Sequence, residues 1–105
     1  MFSEFFSWWR GRRVSMTHLR LVMYTRQGCH LCETAHQELA ESQRRFGFVL
    51  ETVDIDTDPE LAARYGEQVP VVAVNGEVRF RGEVNRVLLK RFLDAEQGRL
   101  QRRTQ

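Results

Sequence analysis

This 105-residue chain has two cysteines, and both stand in "TRQGCHLCETAH", residues 25–36. Two residues separate Cys29 from Cys32, and His30 and His36 lie close by. Three chemistries suit thiols at this spacing. The pair can cycle between dithiol and disulfide, form part of a metal site, or pack as two small apolar side chains. In a helix start, Cys-x-x-Cys brings the second sulfur near the first, and a disulfide forms with little backbone movement. A closed metal site needs more donors. Cys29, Cys32 and His36 offer three and His30 a fourth, but one helix start does not bring both imidazoles to both thiols. A second Cys-x-x-Cys is absent, and so is the Cys-x-x-Cys-His of haem attachment, since Glu33 follows Cys32. A core role is at odds with Cys29 lying beside Gly28 and His30, ahead of the first apolar stripe. The redox pair is the reading that these residues support best.

The flanking elements strengthen it. "LRLVMY", 19–24, reads as a short apolar strand. A helix then runs from about Cys29 or Leu31 to Arg45, with Leu31, Ala35, Leu39 and Phe46 at helical spacing and Gly47 suited to a left-handed stop. Cys29 therefore stands where unpaired N–H groups and the helix dipole favour an anion. A thiolate is the reactive form, so this place activates it. Arg26 adds positive charge, and His30 adds more when protonated. Cys32, inside the first turn, is placed to resolve a mixed disulfide that Cys29 has formed.

Further along, "FVLETVDID", 48–56, reads as a second strand and "TDPELAARYG", 57–66, as a short helix capped by Asp58 and stopped at Gly66. "VVAVN" and "EVRFRG" flank Asn75-Gly76, a hairpin signal. "NRVLLKRFLDAEQ", 85–97, is the last helix, capped by Asn85, with Val87, Leu88, Phe92 and Ala95 as its expected apolar face. The order β-α-β-α-β-β-α implies a right-handed parallel crossover, then an antiparallel hairpin. One four-stranded mixed sheet with helices on both faces buries all the stripes, which makes the fold class α/β.

Composition excludes several classes. With 42% hydrophobic and 29% charged residues the chain reads as a globular domain. No apolar run reaches the length of a membrane span. In "MFSEFFSWWRGRR" the positive charge follows the apolar part, the reverse of a secretory signal, so the expected compartment is the reducing cytoplasm. The net charge of +2 is uneven, with a basic excess in residues 1–18 and 98–105 and an acidic excess between them. A folded surface of that sign does not suit nucleic acid, and basic tails are ordinarily solvated.

Taken together, Tyr24-Thr25-Arg26-x-x-Cys29-x-x-Cys32, Val69-Pro70 and Gly82 resemble the glutaredoxin-like form of the thioredoxin fold, over residues 19–97. From spacing alone Pro70 is a strand-start proline. The resemblance implies a cis Pro70 facing the cysteines, with Cys29 as nucleophile and Cys32 as resolver. It also implies that the Val69 backbone pairs with a bound thiol peptide, that Gly82 follows the last strand, and that Arg26 takes the place of a glutathione-binding basic residue. His30-Leu31 stands where glutaredoxins usually have Pro-Tyr, so these two residues are expected to tune the pair, and Tyr24 to border it. Arg81-Gly82-Glu83-Val84-Asn85 keeps part of the family's Gly-Gly-acidic stretch.

The implied function is a thiol–disulfide oxidoreductase acting as a reductase on a protein disulfide or on glutathione as co-substrate, with no resident cofactor and no metal. The alternative is a glutaredoxin-like scaffold holding an iron–sulfur cluster or metal between two chains. A third reading is a docking protein whose cysteines sense redox state. It draws on residues 1–18, where Phe2, Phe5, Phe6 and Trp9 share a helical face ahead of Arg10, Arg12 and Arg13. Residues 2–13 could serve a membrane surface or a partner, unless Met16 is the true start. Residues 98–105 read as a basic tail. His18 and His36 read as surface residues and Tyr65 as packing.

Overall fold

The computed structural model describes residues 16–104, so the expectations for residues 1–15 and for Gln105 lie outside the described residues. The elements are β1 (Arg20–Thr25), α1 (His30–Phe46), β2 (Val49–Asp54), a 3-10 turn (Ile55–Thr57), α2 (Pro59–Tyr65), β3 (Val71–Val74), β4 (Glu77–Arg81) and α3 (Arg86–Thr104). The sheet order is β2-β1-β3-β4, with β1 and β2 parallel and the other pairs antiparallel. This is the expected α/β architecture, a four-stranded mixed sheet with three helices.

Side chains alternate across the sheet, as the two-residue period of a strand requires. Leu21 and Met23 of β1 and Val72 and Val74 of β3 face α1 and α3, where they meet Ala35, Leu39, Phe46, Leu89 and Leu93. Val71 points the other way, with Ile55 and Tyr65, and Tyr24, Leu61, Val69 and Val78 close around them. The central β3 is buried on both faces, hence its unbroken "VVAV". Local punctuation sets the element ends. Gly47 takes φ 79 and its N–H donates to the Gln43 carbonyl, 2.8 Å away. Asp58 and Asn85 cap α2 and α3 by accepting backbone N–H groups. Asn75 and Gly76 both have positive φ, which the two-residue hairpin demands.

Five expectations need correction. The second strand stops at Asp54 rather than 56, because the Asp54 carboxylate accepts the Asp56 N–H at 2.9 Å and winds the chain into the 3-10 turn. On α1 the buried stripe is Cys32, Ala35, Leu39 and Phe46, while Leu31 is 49% exposed. On α3 the buried line is Leu89, Leu93 and Gln97, with Phe92 partly buried. Val87 (58% exposed), Leu88 (53%) and Ala95 face outward. Adjacent leucines at 88 and 89 fit either face, and contact with β1, β3 and α1 decides between them. Finally, α3 does not stop at Gln97. It runs through Gly98 to Thr104, so residues 98–104, read as a tail, continue the helix, and Leu100 packs on the core. Met16, assigned to the N-terminal extension, is also core, and its N–H donates to the Phe46 carbonyl at 3.1 Å.

Candidate active site

The strand register assembles the site. Thr25 ends β1 opposite Asp54, and Tyr24 pairs with Val71 across β3. Pro70, one residue before Val71, therefore lies at the sheet end from which the cysteine loop departs. Val71 in turn pairs with Arg81, which brings Gly82 beside Pro70. The Gly82 N–H donates to the carbonyls of Gln68 (2.8 Å) and Pro70 (2.9 Å). Three chain segments distant in sequence thus meet at one end of the sheet.

Cys29 is the N-cap of α1, in an extended conformation, and its Sγ accepts the Cys32 N–H at 3.1 Å. A sulfur at this position receives one of the unpaired donors of the first turn and the positive end of the helix dipole. Cys29 and Cys32 are bonded as a disulfide, with their Cα atoms 5.2 Å apart. Cys29 is half-buried, whereas Cys32 is only 3% exposed. Gly28, directly ahead of Cys29, has φ 77, so it supplies the left-handed turn that starts the helix there. The Val69–Pro70 peptide bond is cis. Among the described residues the Val69 backbone N–H and C=O have no hydrogen-bond partner.

Several expected site residues are engaged by other groups or face solvent. Arg26 is turned away from Cys29 in its bonding. Its guanidinium donates to both Asp56 oxygens (3.2 and 2.7 Å) and to the Gly66 carbonyl (2.8 Å). Asp56 raises the Arg26 pKa, chiefly through this hydrogen bond and then through its charge. The carboxyl of Asp56 is held below its usual range chiefly by the same bond. Arg26 therefore ties the cysteine loop to the 3-10 turn and to the end of α2. Gly66 at that end is right-handed helical, and glycine is needed there because a Cβ would stand 2.5 Å from the Ala62 oxygen. Tyr24 stacks on Tyr65, ring centres 4.8 Å apart, in the apolar cluster under α2. The His30 side chain is 90% exposed and lies 4.0 Å from Glu33. Leu31 projects beside it as an exposed apolar residue.

A cleft of about 610 Å³ opens on the β2 side of the cysteines, lined by both sulfur-bearing residues, the loop Arg26–Gly28, Met23, Thr25, Thr52 and Asp54 of the strands, and Glu33, His36 and Gln37 of α1. Val69, Pro70 and Gly82 do not line it; they stand on the β3 side. His36, read from the sequence as a helix-surface residue, is exposed but faces this cleft. The available signal was its spacing of four from Cys32, which puts both on one helix face. Among the described residues no group of three or more His, Cys, Asp or Glu is placed to hold a metal ion. No helix among them is long and apolar enough to cross a membrane.

Comparison with known proteins agrees with this geometry. Residues 20–95 match the model of the Glutaredoxin-like domain (DUF836). A protein named "Probable Thioredoxin" from Methanothermobacter thermautotrophicus is 35% identical over 71 residues, covering 65% of this chain and 84% of its own. A structural-genomics target from X. campestris superposes with a TM-score of 0.60 at 32% identity, over 71% of this chain and 96% of that one. Oxidised thioredoxin from Plasmodium falciparum, at 22% identity and TM-score 0.58, covers 90% of this chain and 91% of its own, and shows the shared fold. A thioredoxin-like fold that brings two cysteines within bonding distance supports a redox-type function. The chain belongs to the glutaredoxin-like family of the thioredoxin superfamily.

Proposed function

We propose that this protein is a thiol–disulfide oxidoreductase that works as a reductase. The Cys29 thiolate attacks a substrate disulfide, releasing one thiolate and forming a mixed disulfide. Cys32 then attacks Sγ of Cys29, the substrate's second sulfur leaves, and the pair ends oxidised by two electrons. The observation that carries this reading is the asymmetry of the pair. Cys29 sits half-exposed at the helix N-cap, its sulfur receiving a backbone N–H, while Cys32 is bonded to it from a buried position.

The substrate we favour is a protein disulfide. Its chain would extend along Val69, whose N–H and C=O are unpaired among the described residues, and pass Pro70 and Gly82. Leu31 offers an apolar contact at the rim, and His30, in solvent beside Cys29, would set how oxidising the pair is. Tyr24 supports the strand end through Tyr65. Glutathione is a weaker candidate co-substrate, since the charge of Arg26 is already met by Asp56. A cysteine pair worked as a reductase suits a reducing compartment, and the cytoplasm is the one we propose.

Insulin reduction, with dithiothreitol as electron source, tests the reading. Cys29→Ser should abolish it, and Cys32→Ser should accumulate protein–substrate adducts on Cys29. Full activity of the Cys29→Ser protein would end the proposal.

A further inference from the structure

Given the dithiol exchange proposed above, we infer that His36 takes the proton from Cys32 when Cys32 resolves the mixed disulfide, and that the cleft on the β2 side is the route for that proton. Cys32 must be a thiolate to attack, yet it is 3% exposed, and burial in apolar surroundings disfavours a thiolate. Something near it has to accept the proton. On an α-helix a side chain leans back over the turn before it, so His36 lies over Cys32, one turn earlier. Both line the same cleft, which also reaches Cys29. Among the described residues the His36 side chain makes no hydrogen bond, so in its neutral form the ring has a nitrogen available to accept. His30 cannot serve, since it points to solvent beside Glu33.

Three charged groups share the cleft wall with His36. Glu33 on α1 and Asp54 on β2 are carboxylates in the cleft wall, and the one cation in the lining besides a protonated His36 is Arg26, which is engaged by Asp56. The step balances. The Cys32 Sγ–H proton passes to His36, directly or through one water. The thiolate then attacks Cys29 Sγ and the Cys29–substrate bond breaks. The departing sulfur leaves as a thiolate with the electron pair and takes up a proton from solvent as its own pKa requires, while His36 gives its proton up to water in the cleft. In-line attack puts that departing sulfur on the far side of Cys29 from Cys32, which leaves the cleft clear for the proton.

Ellman's reagent separates the two chemical steps. The first nitrothiobenzoate released reports attack by Cys29, and the second reports resolution by Cys32. His36→Ala, at an exposed helix position where alanine is well tolerated, should slow the second release at least about tenfold at pH 7. The first should change less than about twofold. The second step should lose the part of its pH dependence that the first step lacks, and added imidazole should restore the rate. An unchanged second release in His36→Ala, or a loss that imidazole does not repair, overturns the role of His36 and leaves the dithiol reading standing. A wild-type protein that releases only one equivalent and forms no Cys29–Cys32 disulfide overturns both.

Discussion

Replacing Gly82 by alanine adds one methyl group at a backbone position held at φ 76, and Gly76→Ala does the same at φ 87. At both positions a Cβ meets no heavy atom within 4 Å, so the folded protein feels only the left-handed strain. That strain costs about 1–2 kcal/mol, and for a domain of this size each kcal/mol lowers Tm by roughly 4–8 °C. Urea unfolding of the two oxidised proteins should therefore show similar losses. Catalysis should separate them. Gly76 lies in the far hairpin, whereas the Gly82 N–H touches the Pro70 carbonyl at 2.9 Å. A substrate strand laid along Val69 would pass over the open space that the new methyl fills. Overpacking at such a contact costs about 1–3 kcal/mol, so kcat/KM for insulin should fall roughly 5- to 150-fold in Gly82→Ala. It should stay within about twofold of wild type in Gly76→Ala. Equal kcat/KM for the two variants would refute substrate passage over Gly82. A stability loss at Gly82 more than twice that at Gly76 would refute the strain argument.

Leu39 is fully buried between α1 and the sheet, so Leu39→Ala should destabilise by about 2–5 kcal/mol, read as a lower urea midpoint with an unchanged slope. Asn85 accepts the N–H groups of Val87 and Leu88, and Asn85→Ala should cost about 1 kcal/mol, measured the same way. Arg26 lowers the Asp56 pKa, so the bond stabilises the fold above the unfolded carboxylate value near pH 4 and is lost as pH falls through the lower folded value. The gap in urea midpoint between wild type and Asp56→Asn should be constant above about pH 5 and should close below pH 4; a gap that persisted at pH 2 would contradict the pairing.

Much of the fold is legible because short-range chemistry writes it. Asp58-Pro59, Asn75-Gly76, Gly47 and Asn85 announce their caps and turns by side-chain type, and each does that job. What misled was ambiguity of face. Val87, Leu88 and Leu89 offer two apolar stripes in one turn, and Leu31 and Cys32 offer two starts to another. The last helix is expected from its sequence to end at Gln97 with a basic tail after it, yet Leu100 beyond reaches the core and the helix runs on. Arg26 reads as a charge beside Cys29, but Asp56 lies 30 residues away and becomes its partner only after β2 and its 3-10 turn are in place.

The sequence by itself determined the chemistry available. It placed two thiols at the start of a helix, with a strand before them and a glycine turn between, and the dipole and spacing follow from local backbone geometry. Tertiary structure decided which neighbours that chemistry has. Pairing of Tyr24 with Val71 and of Val71 with Arg81 brought Val69, Pro70 and Gly82 to one side of the cysteines. Parallel pairing of Thr25 with Asp54 opened the cleft with His36 on the other. Strand register depends on contacts between residues far apart in the chain, and no local pattern encodes which side of a reactive sulfur each distant segment will occupy.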